Sequence, residues 1–197
     1  MKIQVVDLSK RFDQNQVLKN LNITFTDGKV NCVMGVSGVG KTTLINILMD
    51  LIKQDTGEIH GLKGSQIAAV FQEDRLIEHL DAMKNIQLVC DKTITEEVIE
   101  QEFRLVGLEE YKNKPVRELS GGMKRRVTVV RAILAKSDLI IMDEPFKGLD
   151  EKLKKQVMEY VRIRTIGKTV IIVTHEKDEV QALGGELILL TQDKKPE

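Results

Sequence analysis

Residues 35–42 read Gly35-Val36-Ser37-Gly38-Val39-Gly40-Lys41-Thr42 and fill every fixed position of the pattern G-x-x-x-x-G-K-[ST]. Such a loop belongs between a buried strand and a helix, and both flanks comply. Val30-Asn31-Cys32-Val33-Met34 before it is an apolar run of strand length, and Thr43-Leu44-Ile45-Asn46-Ile47-Leu48-Met49 after it reads as a helix. Glycines let the backbone wrap closely around a diphosphate, whose charge meets backbone N–H groups and the positive end of the helix. In this arrangement Lys41 reaches the β- and γ-phosphates of a nucleotide, and Thr42 places a hydroxyl on Mg²⁺. Gly35, Ser37, Gly38, Val39, Gly40, Lys41, Thr42 and Thr43 are the candidate phosphate-binding residues. An ordinary Gly-rich turn is the plain alternative, and the flanking pattern disfavours it.

Strand-like and helix-like segments alternate at both ends of the chain. Ile3 to Leu8 and Val17 to Phe25 show period-two alternation with turn residues between them, which predicts an antiparallel hairpin or small sheet. Leu139 to Met142, Thr169 to Val173 and Glu186 to Leu190 are short apolar runs, separated by segments with helical spacing such as Leu153, Val157 and Val161. With Val30 to Met34 they predict a parallel sheet covered on both faces, an α/β fold. Between Glu73 and Lys136 no strong strand candidate occurs. Thr95 to Val106 and Gly122 to Lys136 read instead as helices, so a helical subdomain is expected at about 73–136. The nucleotide core with its N-terminal antiparallel β subdomain is expected at about 1–72 and 137–197, the whole forming one domain. Gln192 to Glu197 reads as a polar tail.

Composition narrows the class further. With 42% hydrophobic and 30% charged residues in 197, the chain has the balance of a folded globular protein. No apolar run approaches the ~18 to 20 residues of a membrane span, and Met1-Lys2-Ile3-Gln4 begins no secretory signal, so a cytoplasmic location is expected. Lys plus Arg equals Asp plus Glu at 30 each, which leaves no electrostatic footprint for nucleic acid. Cys32 and Cys90 lack metal-ligand spacing and read as free thiols in a reducing compartment.

A second constellation is Leu139-Ile140-Ile141-Met142-Asp143-Glu144-Pro145. Apolar residues ending in two carboxylates place those carboxylates at the C-terminal edge of a buried strand, where open α/β sheets bind ligands. Asp143 is then a candidate for the Mg²⁺ shell and Glu144 for polarising an attacking water. A polar strand exit before a Pro145 turn is the bland alternative. Leu119-Ser120-Gly121-Gly122-Met123 provides the third element, between the first two in sequence.

Together these motifs resemble the ATP-binding cassette (ABC) ATPases, a P-loop NTPase family whose diagnostic signature is this Leu-Ser-Gly-Gly stretch. Gln72 after Ala68-Ala69-Val70-Phe71, Gly148-Leu149-Asp150 after Pro145, and His175 after Val170 to Val173 follow in the family's order. The resemblance implies that Gln72 senses Mg²⁺ and the attacking water, that His175 touches the γ-phosphate, that Ser120, Gly121 and Gly122 contact ATP held by a second chain, and that Asp150 is among the nucleotide-binding residues. Ser120 and Asp150 are also good helix N-caps, and Gln72 and His175 also suit polar strand ends. Phe12 is the candidate for stacking on adenine, with a core position as its alternative. Arg117, Lys124, Arg125, Arg126 and Arg131 cluster around the signature and read as a solvated helix face in preference to a phosphate or partner contact.

Met123 stands where many members have Gln, and Phe146-Lys147 where small polar residues are frequent. Neither departure touches Lys41, Asp143, Glu144 or His175. Phe71-Gln72-Glu73-Asp74-Arg75-Leu76 and Ser120 to Met123 are similar to importers of the nitrate, sulfonate and taurine group. What the resemblance implies is an ATPase subunit of a membrane transporter, an importer by preference, that binds ATP and Mg²⁺ and dimerises with a second cassette. Its partners are membrane-spanning permease subunits, which hold it on the inner face of the cell membrane, with an extracytoplasmic solute-binding protein in an import system. The last predicted strand lies close to the end of the sequence, so the regulatory domain some importer ATPases carry is not expected. A cassette of DNA repair or chromosome organisation needs long heptad-bearing arms, for which Gln72 to Ser120 is too short. A cassette that powers or regulates a membrane complex without moving solute, of the lipoprotein-release or cell-division type, shares all these motifs.

Overall fold

A computed structural model describes residues 2–191; the polar run Gln192 to Glu197 lies outside the described residues. Five short strands form a parallel sheet: β3 (Val30–Met34), β5 (Ile67–Val70), β6 (Leu139–Asp143), β7 (Thr169–Val173) and β8 (Glu186–Leu189), in the order β5-β6-β7-β3-β8. Every residue of β6 and β7 is buried, as a central parallel strand covered on both faces requires. The pleat sends alternate side chains to opposite faces. Cys32, Ala68, Ile140, Met142, Val170 and Ile172 enter one core, whereas Val33, Leu139, Ile141, Ile171 and Val173 enter the other. The α/β expectation is met.

The second core is closed by α1 (Lys41–Leu48) and by an antiparallel sheet of β1 (Ile3–Phe12), β2 (Asn15–Phe25) and β4 (Thr56–His60), ordered β2-β1-β4. The hairpin runs further than its alternating core suggests, to Phe12 opposite Asn15. β4 was not legible, because Thr56-Gly57-Glu58-Ile59-His60 offers one apolar residue, Ile59, which pairs with Val5. Gly57 makes that pairing possible. Its φ is 89°, and a β-carbon there would stand 2.5 Å from the Asp7 carbonyl oxygen. Gly57→Ala is therefore expected to destabilise the protein by about 2 kcal/mol or more, through backbone strain and collision with β1. An unchanged urea midpoint in that variant would contradict the packing of β4 on β1.

The first core is covered by helices. α3 (Glu96–Leu105) and α4 (Gly121–Leu134) lie where helical spacing predicted them, and α5 (Glu151–Arg164) and α6 (Lys177–Leu183) cover the sheet beside them. α2 (Ala82–Gln87) was not foreseen, being one short stretch held by its Asp81 cap, whose side chain accepts from the Lys84 N–H at 2.7 Å. Ser120 and Asp150 cap their helices as their sequence context suggests. The Ser120 hydroxyl accepts from the Met123 N–H at 3.3 Å, and Asp150 accepts from the N–H groups of Lys152 and Leu153 at 3.1 and 3.0 Å. Cys32 is fully buried in β3, and desolvation pushes its thiol up to about 12, so it is an inert core residue.

Candidate functional site

The loop from β3 to α1 turns through glycines that no other residue replaces cheaply. Gly38 and Gly40 adopt φ of 78° and 104°, and a β-carbon on Gly40 would sit 2.6 Å from Leu18 Cδ2. A β-carbon on Gly35 would sit 2.6 Å from the Leu190 carbonyl oxygen. The loop therefore packs tightly against β2 and the end of β8. It rims a cavity of about 360 Å³ at the C-terminal ends of the strands.

Ser37, Gly38, Gly40, Lys41, Thr42 and Thr43 line this cavity, and from elsewhere in the chain so do Phe12, Gln72, Glu144 and His175. Gly35 and Val39 do not; Gly35 packs on Leu190, and Val39 is 2% exposed in the second core. Phe12 ends β1 at 44% exposure, so it is not a core residue, and Lys10 Nζ stands 5.4 Å from its ring centroid.

Lys41 is buried, and its ammonium donates to the carbonyls of Gly35 at 2.8 Å and Val36 at 3.0 Å. Burial lowers its pKa, against the pull of the Glu144 and Asp143 carboxylates. Thr42 Oγ1 lies 3.1 Å from Asp143 Oδ2, so the last residue of β6 meets the first turn of α1 at two hard oxygen atoms. Burial raises the Asp143 carboxyl above its ordinary value, with the Thr42 hydroxyl opposing the shift.

Glu144 is the most constrained residue of the site. Its φ is 47°, in the left-handed region, while its N–H still donates to the Val173 carbonyl at 3.0 Å. This turn swings the carboxylate out of the strand and between Lys147 and His175. Oε2 lies 2.7 Å from Lys147 Nζ, and Oε1 lies 2.8 Å from His175 Nε2. Burial alone would raise this carboxyl; Lys147 and His175 outweigh it and hold it below the ordinary range.

Ser120, Gly121, Gly122 and Asp150 are outside this cavity. Gly121 and Gly122 border a separate cleft of about 250 Å³ with Gln72 and Gly148. The basic residues near the signature need a correction. Arg117 is exposed and Lys124 is half-buried, but Arg125 and Arg126 are 4% and 6% exposed, and neither belongs to a solvated face. Arg126 donates to the carbonyls of Gly122, Val106 and Gly107, and Arg131 to those of Arg75 and Asp74. α4 is enclosed by loops that present unpaired carbonyls, and a guanidinium with five donors satisfies several at once. Lys147 and Arg125 are the neighbours of Glu144 that residue patterns did not reveal; only the i,i+3 spacing of Glu144 and Lys147 hinted at a contact.

A glycine loop between strand and helix, with carboxylates at the end of β6, which β7 separates from β3 in the parallel sheet, defines a P-loop nucleotide-binding domain. The chain belongs to the ABC transporter family, whose model matches residues 18–147. It is 32% identical over 210 residues to the spermidine/putrescine import ATP-binding protein PotA of Fusobacterium nucleatum, and 32% identical over 206 residues to PotA of Mycoplasma capricolum. Those matches span 98% and 96% of this chain but 55% and 59% of the relatives' lengths. A probable sulfate/thiosulfate import ATP-binding protein CysA of Chlorella vulgaris is 31% identical, over 98% of this chain and 89% of its own. The ATP-binding cassette MJ0796, solved as a dimer in a post-hydrolysis state with ADP and Pi, superposes with a TM-score of 0.83 at 27% identity, covering 96% of this chain and 94% of that one. ATPase domains of this family bind ATP. No helix among the described residues is long and apolar enough to cross a membrane.

Proposed function

We propose that this chain is the ATP-hydrolysing subunit of a membrane importer, acting as a pair of cassettes on the cytoplasmic side of separate permease subunits. The observation that carries the proposal is the cavity itself, which gathers Lys41, Thr42, Gln72, Glu144 and His175 beside Asp143 and leaves Ser120 to Gly122 outside. A site split in this way is complete only when a second chain supplies its signature. The dimeric state of MJ0796 supports that reading.

In it, the glycine loop and Lys41 hold the β- and γ-phosphates of ATP, and the exposed Phe12 ring offers a face to adenine. Thr42, Asp143 and Gln72 suit Mg²⁺. The adjacent Thr42 and Asp143 oxygens are hard donors, and a magnesium ion at a nucleotide site takes few protein ligands and completes its shell with phosphates and water. When bound, that ion neutralises charge on the phosphate oxygens. Glu144 orients the attacking water and accepts its proton, His175 steadies the carboxylate and faces the γ-phosphate, and the partner chain's signature stabilises the phosphoryl charge. Dimer closure on ATP and reopening after hydrolysis then drive transport. PotA and CysA are named for solutes of opposite charge, so they support an importer without indicating its solute. The narrower likeness to nitrate, sulfonate and taurine importers rests on Phe71 to Leu76 and Ser120 to Met123.

Mixing two inactive variants tests the shared site. A heterodimer of Lys41→Ala and Ser120→Arg chains carries one intact composite site and one doubly damaged site, so ATPase activity is expected to return on mixing. No return, under conditions where light scattering shows dimers, would remove the support for completion in trans.

A further inference from the structure

We infer that Arg125 is a positioning residue for hydrolysis: a single buried guanidinium holds Glu144 and the chain leading through Gln72 in one arrangement and ties both to the helix headed by Ser120. The inference rests on the proposed function and goes beyond it, since Arg125 does not line the cavity that gathers Lys41 and Glu144.

Arg125 lies in the second turn of α4, with its side chain 5% exposed. Its Nη2 donates to the carbonyls of Asp143 at 2.7 Å and Glu144 at 2.6 Å, one on each side of the Glu144 backbone. Its Nη1 donates to the Phe71 carbonyl and, at 3.4 Å, to the Gln72 carbonyl, and stands 3.5 Å from Asp74 Oδ1. The guanidinium thus bridges the ends of β5 and β6. Glu144 needs such support because it holds a left-handed φ of 47°, a conformation that costs roughly 1–3 kcal/mol in a residue with a side chain. Its N–H is anchored on Val173, and Arg125 anchors the carbonyl end of the same residue. Without the guanidinium that carbonyl keeps only the Lys147 N–H at 3.2 Å, and the Asp143 carbonyl on the other side of the peptide loses its guanidinium contact, so the peptide that aims the carboxylate is held more loosely.

A rigid fork is needed to reach both loops. Lysine offers a single nitrogen, and glutamine a shorter neutral amide, so neither replaces the paired contacts. Its contacts also serve the fold, because an apolar side chain would take the donor away from those carbonyls; what ties the residue to hydrolysis is that two of the carbonyls flank Glu144. The link also has a direction. Ser120 caps α4, so its engagement with a partner's nucleotide is transmitted five residues along one helix to the backbone of Glu144 in its own chain.

The test is a double-mutant cycle on the full chain: Arg125→Lys and Arg125→Gln, each alone and combined with Glu144→Gln, followed by MgATP calorimetry, phosphate-release kinetics and circular dichroism. Arg125→Lys is expected to bind MgATP within about threefold of wild type and to lower kcat on the order of 10- to 100-fold, as a misaimed carboxylate does. In the Glu144→Gln background the same change should cost less than about threefold, because the group it aims is already disabled. The inference is overturned if kcat is unchanged in both single variants, if the loss is equally large without Glu144, or if affinity falls in step with kcat. Loss of the folded circular dichroism signal in both variants would assign Arg125 to the structure alone and overturn it as well. A wild-type chain that neither binds nor hydrolyses MgATP, or a Glu144→Gln chain that hydrolyses normally, would strike the proposed function instead.

Discussion

Glu144→Gln is expected to bind MgATP at least as well as wild type, to hydrolyse it slower by ~10² to 10⁴, and to accumulate as a closed dimer. The rate loss corresponds to about 3 to 5 kcal/mol of transition-state stabilisation, the usual contribution of a general base. An amide keeps the shape of the carboxylate and still hydrogen-bonds to water, but it does not accept a proton from it. The structure adds a local consequence. Glu144 is paired through both oxygens, with Lys147 at 2.7 Å and His175 at 2.8 Å, and the amide NH₂ would face one of these donors. The variant therefore loses the carboxylate charge and one of these two hydrogen bonds inside the site while the glycine loop, Lys41 and Thr42 stay as they are. Ground-state contacts to ATP survive, and opening waits on a step that no longer proceeds. Size-exclusion chromatography with light scattering, with and without MgATP, reads the dimer. Hydrolysis near the wild-type rate would rule out Glu144 as the catalytic carboxylate.

Lys41→Ala is expected to weaken MgATP binding by roughly 10- to 100-fold and to abolish turnover, since charge-assisted hydrogen bonds to phosphate contribute about 1.5–3 kcal/mol. The ammonium donates to the Gly35 and Val36 carbonyls, an arrangement that holds it inside the glycine loop. Burial already disfavours its charged form, so anionic oxygens in the cavity would restore a partner to a partly desolvated cation. Alanine also takes the ammonium away from those two carbonyls, leaving Val36 with the Val39 N–H at 3.3 Å, and the loop loses internal order together with its charge. Calorimetric titration and an ATPase assay check both effects. Unchanged affinity and unchanged rate would contradict the assignment of the loop to phosphate.

Local chemistry made part of this protein readable from its residues. The glycine loop, the apolar runs of β3, β6 and β7, and the caps at Ser120 and Asp150 depend on neighbours within a few positions, so their signals survive in one dimension. β4 did not, because its stability comes from pairing with β1 and from the space that Gly57 leaves. The short α2 is held by its cap and by tertiary packing, with too few residues to show a period.

The arginines show the boundary most clearly. Charged residues are seldom buried, so Arg125 and Arg126 read as solvent-facing until the carbonyls that surround them are in place. Residue types and spacing by themselves determined a P-loop and a parallel α/β sheet, and they named the residues proposed to handle phosphate, because each signal follows from backbone geometry or charge close by in the chain. Only the tertiary structure decided that Phe12, Gln72, Glu144 and His175 face one cavity with Lys41, that Lys147 and His175 share the carboxylate of Glu144, and that Ser120 lies outside. These contacts join residues from different strands and loops, and their distances are set by how two cores pack on the two faces of one sheet.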